Sequence, residues 1–220
     1  MKKSMNILRT SPLFSQIDEK DLPSMLNCLC ARKADYKKDT YIFCSEDIVK
    51  DVGIVLIGSV NVIKEDFWGN RAILTKMQVG ELFGEAFSFA GAKRLPVSVV
   101  AAEKTEVLFL DFRKISKTCS SNCNFHAQLI ANMLEILAQK NIMLTQKLEH
   151  IVKRTTREKL LSYLSEQAIK SSSNSFTIPF NRQELADYLS VDRSAMSNEL
   201  SKLRDEGILD FTKNNFELIK

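Results

Sequence analysis

The residues of this chain best suited to chemistry lie near its end, in FNRQELADYLSVDRSAMSNELSKLRDEGILDFTKNNFELIK. Arg193, Ser194, Ser197, Asn198 and Lys202 share the polar face of one helical segment, opposite Ala195, Met196, Leu200 and Leu203. An arginine there can donate a bidentate pair to guanine O6 and N7, while serine and asparagine offer adaptable hydrogen bonds to base edges. Arg182 and Gln183, at the start of the preceding segment, suit phosphates, as do the amides of helix starts. The plainer alternative is a helical hairpin for protein contacts, with Arg193 in an ordinary surface ion pair. Either way the chemistry is recognition: the chain has two histidines and shows no nucleophile–base motif, Walker loop or metal-ligand spacing, so it does not read as an enzyme. Charge does not decide the matter. The net charge is +4, yet residues 154–220 hold ten Lys+Arg and ten Asp+Glu.

The elements that must position these side chains are written around them. Asn181 and Glu184 form a capping-box pattern that starts one helix, with Leu185, Ala186 and Leu189 as its apolar face. A short turn at Ser190-Val191 leads to Asp192, the N-cap of a second helix running to about Glu206. Gly207 caps it, and ILDF and FELI supply two short strands around Lys213-Asn214-Asn215. Two helices, a tight turn and a hairpin wing make a winged helix-turn-helix. Upstream, Thr155 and Glu158 form another capping box that opens a helix to about Ala168, and SSSNS at 171–175 is a polar loop.

Between about Asn124 and Val152 there is neither proline nor glycine, and two seven-residue series interlock. Ile130, Leu137, Leu144 and Ile151 form one; Ala127, Leu134, Asn141 and Leu148 form the other. These are the d and a positions of a coiled coil, on a helix of roughly 43 Å at 1.5 Å per residue. Asn141 is the one polar residue of the seam, and a single buried asparagine at an a position favours two strands in register. A second stripe, Leu129, Met133, Ile136 and Met143, suits packing on the chain's own N-terminal domain. There, from Lys33 to about Phe112, short β-branched and aromatic runs alternate with glycine, and SVNVIKEDFWGNRAILTKM reads as a hairpin with Gly69-Asn70 near its tip. The expected fold is α+β: an antiparallel β-barrel or jelly roll over 1–123, a long dimerisation helix and hinge over 124–153, and the winged helix-turn-helix over 154–220.

Barrel, long helix, hinge and winged helix-turn-helix, in that order, resemble the Crp/Fnr family of bacterial transcription regulators across nearly the whole chain. NRQELADYL-SVDRSAMSNEL resembles its recognition motif, and GELFGEAFSFAG at 80–91 resembles its cyclic-nucleotide cassette, with the Gly-Glu pair at Gly84-Glu85. The resemblance implies a homodimer on a palindromic operator in double-stranded DNA, gated by a barrel effector that favours one of two dimer arrangements. RNA polymerase is a further partner it admits. A cAMP-binding member needs an arginine for the cyclic phosphate shortly after the cassette. Counting from the downstream strand puts Leu95 there, whereas counting forward from Gly84 through a shorter loop puts Arg94 there; a one-residue slip in a strand reverses the face. The polar pair that contacts adenine from the dimer helix falls on Ile142 and Met143. The candidate pocket is Gly84, Glu85, Arg94, Leu95, Pro96, Ile142 and Met143, with the register at 94–95 open, and its apolar members suit an effector more apolar than cAMP.

The start, MKKSMNILRTSPLF, is broken by Arg9 and Pro12, and no apolar run approaches the roughly 20 residues that span a bilayer, so a cytoplasmic protein without membrane contact is expected. The five cysteines are Cys28, Cys30, Cys44, Cys119 and Cys123. Their spacing matches no iron–sulfur pattern, and structural or redox-sensitive thiols fit better. His126 and His150 read as helix-surface residues, which leaves haem without support. The effector is thus unidentified. The competing function is a redox or small-molecule sensor whose output is a protein partner.

Overall fold

The computed structural model describes residues 2–91, 94–115 and 125–219. In chain order the regular elements are α1 (Lys2–Thr10), α2 (Leu22–Cys28), β1 (Arg32–Tyr36), β2 (Tyr41–Phe43), β3 (Asp51–Ile57), β4 (Val60–Glu65), β5 (Arg71–Met77), β6 (Leu82–Phe83), α3 (Glu85–Phe89), β7 (Ser98–Ala101), β8 (Thr105–Asp111), α4 (Phe112–Ile115), α5 (Phe125–Ile151), α6 (Thr156–Ser171), β9 (Ser175–Thr177), α7 (Arg182–Leu189), α8 (Arg193–Asp205), β10 (Leu209–Thr212) and β11 (Asn215–Leu218). They divide into two compact units, residues 1–70 with 74–140 and residues 71–73 with 141–220.

The N-terminal strands form two four-stranded sheets, ordered β1-β8-β3-β6 and β2-β7-β4-β5. The alternation of a strand explains the layering. Along β8, Val107 and Phe109 point between the sheets with Val55, Phe83, Val97 and Val99, while Leu108 and Leu110 join Val52, Ile54 and Leu56 in a second core outside them. Gly53 is required by that interior, because a Cβ there would lie 2.2 Å from the Phe83 ring. The outer core is covered by Leu8, Leu13, Phe14, Leu22 and Met25 of the N-terminal helices and turns, and by Leu129, Met133 and Ile136 of α5. Asn132 secures this cover by donating to the carbonyls of Leu13 (2.9 Å) and Ser15 (2.7 Å). Three residues of the expected second stripe therefore pack inward, but Met143 is exposed, because it lies beyond this core. β4 and β5 form the expected hairpin; Asp66 N–H donates to Asn70 O at 3.0 Å, and Asp66 also accepts from the Trp68 and Asn70 amides.

The long helix spans 27 residues, about 40 Å at 1.5 Å each. Both of its histidines are buried, contrary to the expectation of surface positions. His126 stacks on Phe125, with its Nε2 3.3 Å from Lys114 O; His150 packs edge-on to Tyr163. In the C-terminal module, α6, α7 and α8 bury Leu160, Leu164, Leu185, Leu189, Met196, Leu200 and Leu203. The wing has three strands, ordered β10-β11-β9, rather than the two expected: Ser175–Thr177, which begins on the last residue of the expected polar loop 171–175, pairs with β11. Phe176 is its one buried residue, too short a run to announce a strand.

Candidate nucleic-acid interface and barrel site

Two capping boxes and one N-cap set the C-terminal module. Thr155 accepts from Glu158 N–H, Asn181 from Glu184 N–H, and both glutamates reach back to the cap amide. Asp192 Oδ1 accepts from Ala195 N–H at 2.8 Å and from the Ser194 hydroxyl at 2.5 Å, and the Ser194 bond first, with the amide bonds, holds its carboxyl below the usual range. The Ser194 proton is thus committed to the cap. Ser197 donates to Arg193 O at 2.9 Å, the local back-bond open to a helical serine. Arg193 and Asn198 are exposed on the first two turns of α8, and among the described residues no hydrogen bond or ion pair engages either side chain. Lys202 is exposed one turn further on, loosely paired with Glu199 at 3.8 Å. This face therefore presents an arginine fork, an amide and an ammonium.

Around it, Gln183 is exposed and donates to Asp187 at 2.8 Å. Arg182 departs from the open phosphate cation expected of it. Its guanidinium lies over the rings of Phe211 (4.8 Å) and Phe216 (4.9 Å), and burial pushes its pKa below the ordinary arginine range. One residue inside the cap, the side chain lies flat on the wing aromatics, so it braces the hairpin. A tie that sequence did not signal is Arg157 of α6, which bridges Glu199 (3.2 Å) and Glu206 (2.9 and 2.5 Å) of the α8 segment.

On α5 the seam positions are mostly bare: Leu134, Leu144 and Leu148 are 63, 52 and 56% exposed. Asn141 is exposed between them, and Ile130, Leu137 and Ile151 are half-buried. That is an apolar stripe along a helix with one polar interruption.

In the barrel, Gly84 has φ +83 and caps α3, a backbone state that favours glycine. Glu85 follows it at 3% exposure and pairs with Lys140 of α5, whose ammonium donates to Glu85 Oε1 at 2.7 Å and to Leu82 O at 2.5 Å. The register of the following segment is set by backbone bonds: Glu46 N–H donates to Leu95 O at 2.8 Å and Leu95 N–H to Asp47 O at 3.0 Å. Leu95 is buried, while the Arg94 side chain is 66% exposed and meets Glu46 at 3.4 Å on the surface. Pro96 is exposed. Ile142 and Met143 belong to the second unit and are exposed there. Of the thiols, Cys28 is half-buried and Cys30 and Cys44 are exposed; Cys119 and Cys123 lie outside the described residues. Among the described residues no cluster of three or more His, Cys, Asp or Glu is arranged to hold a metal, and no helix is long and apolar enough to cross a membrane.

Two family models match the chain, a cyclic nucleotide-binding domain over residues 33–122 and a Crp-like helix-turn-helix domain over residues 158–220. The chain belongs to the Crp/Fnr family. Among curated relatives, the nitrogen fixation regulation protein FixK of Bradyrhizobium diazoefficiens is 24% identical, over 96% of this chain and 87% of its own. The cAMP-activated global transcriptional regulator CRP of Haemophilus influenzae is 22% identical over 78% of this chain and 76% of its own. Among solved structures, the c-di-GMP responsive global regulator CLP of Xanthomonas campestris matches with a TM-score of 0.74 at 18% identity, covering 92% of this chain and all of that one, a likeness of fold. The chain is thus a Crp/Fnr-type transcription regulator with a DNA-binding helix-turn-helix.

Proposed function

We propose that this regulator works as a homodimer that reads a palindromic operator with α8 and is gated by a barrel effector other than cAMP. The observation that carries the reading is the pairing of two surfaces on one chain. One is the exposed Arg193–Asn198–Lys202 face of α8; the other is the exposed apolar seam Leu134–Leu144–Leu148 interrupted by Asn141. A seam of that kind is buried by a second copy, and a two-fold dimer supplies two recognition helices for two half-sites. Gln183 and the helix-start amides then hold phosphates, and Arg182 keeps the wing in place for Lys213 at its tip.

The effector reading rests on Leu95 and Arg94. A buried cyclic phosphate needs a paired cation, and the buried side chain at this point is leucine. The residue boundaries 1–123, 124–153 and 154–220 describe its sensing, dimerising and reading parts. Selection of binding sites from randomised duplex DNA, followed by calorimetry with cAMP, tests both halves. The expected result is a two-fold-symmetric site and no cAMP binding at micromolar concentration. An asymmetric site removes the dimer reading, and a micromolar cAMP dissociation constant restores Arg94 as a phosphate ligand.

A further inference from the structure

Lys140 is the ammonium that the α3 cassette meets inside the first unit. Its Nζ donates to Glu85 Oε1 at 2.7 Å and to Leu82 O at 2.5 Å, so one side chain of α5 grips both Leu82 of β6 and the first residue of α3. The pair is set into the domain, with Glu85 3% exposed and the Lys140 side chain 21% exposed. Glu85 Oε2 and, one turn on, Ser88 Oγ are buried with no hydrogen-bond partner among the described residues. Lys140 is therefore the cation seen on a carboxylate that is otherwise costly to bury. It is also the last residue of the first unit: α5 continues from Asn141 as part of the second.

We infer that the Lys140–Glu85 pair is a latch that fixes the dimer helix to the effector domain in the arrangement that binds DNA. The inference rests on the regulator reading above. Leu129, Met133 and Ile136 hold the first turns of α5 by apolar packing, which tolerates sliding by small steps. The ion pair does not tolerate it, because an ammonium displaced along the helix leaves Glu85 buried without its counter-charge. The pair thus fixes the axial position of α5 where the apolar contacts end. An effector that loosens the pair frees the helix and weakens DNA binding.

A residue that merely stabilises the barrel and one that positions the helix are separated by making the pair neutral on both sides. Replacing a buried pair by uncharged groups of similar size is often neutral for stability, whereas removing one partner is not. The test uses the full-length protein and the operator that the wild type selects from randomised DNA. Lys140→Met is expected to lower both the melting temperature and operator affinity. Lys140→Met/Glu85→Gln is expected to recover the wild-type melting temperature and remain at least tenfold weaker on the operator. Hydrogen exchange of that double variant should quicken in α5 around residue 140 and stay unchanged in β3 and β8. A double variant that binds the operator like the wild type, or whose α5 exchange is unaltered, overturns the latch. If the wild type selects no operator, the regulator reading itself falls.

Discussion

Arg193 stands where a single side chain can decide between sequences. It follows the Asp192 cap directly, is exposed, and is held by no neighbour among the described residues. Arg193→Ala is expected to cost roughly 1–3 kcal/mol on the selected operator and little on scrambled duplex, relaxing preference at one guanine in each half-site. Equal losses on both DNAs would make it a backbone contact. Lys147 offers a test of stability rather than recognition. Buried beneath the Tyr188 ring at 4.2 Å, its ammonium is pushed down by desolvation to about 8 from 10.5. The unfolded chain holds that proton more tightly, so between about pH 8 and 10.5 the unfolded state carries more protons and stability rises with pH; below about 8 the penalty is present in full. Lys147→Met should therefore flatten the alkaline rise, while at pH 7 relief of the desolvation penalty is offset by loss of the Tyr188 contact and of the bond that Lys147 donates to Ile73 O. Denaturant titrations from pH 7 to 10 read the slope; a variant whose stability rises as steeply as that of the wild type contradicts this.

At the scale of elements, local rules were legible wherever a residue acts on its own backbone. The capping pairs Thr155–Glu158 and Asn181–Glu184, the Asp192 cap, and the hairpin ending at Gly69-Asn70 need only nearby partners, and each is formed. Asp192→Ala is accordingly expected to destabilise the C-terminal module by about 1 kcal/mol, measured by thermal unfolding; no change would mean the Ala195 amide finds another acceptor. What sequence hid are meetings between distant positions. β9 is a strand because β11 lies beside it, His126 meets Lys114 O of α4, His150 meets Ser162 and Tyr163 of α6, and Lys140 finds Glu85 across 55 residues. Arg182 shows the same limit: its residue type suits a phosphate, but Phe211 and Phe216 lie within reach. Spacing left the 94–95 register open, and that register depends on backbone bonds to Glu46 and Asp47 that no spacing rule contains.

At the scale of the whole molecule, the proposed regulator works as two copies acting together. Bare leucines at 134, 144 and 148 flank Asn141 on a helix about 40 Å long, enough apolar surface to drive association in water. Asn141→Leu should raise the thermal stability of the dimer while loosening its stoichiometry toward higher oligomers, seen by sedimentation equilibrium; an unchanged dimer with unchanged stability would put Asn141 outside the seam. A two-fold dimer also sets the DNA: two half-sites about one helical turn, or roughly 34 Å, apart. The most direct test is sedimentation velocity of the full-length protein, alone at micromolar concentration and mixed with one duplex carrying the selected operator. The expected result is a dimer alone and two chains per duplex in the complex. A monomer that binds one chain per duplex would contradict the proposed dimer.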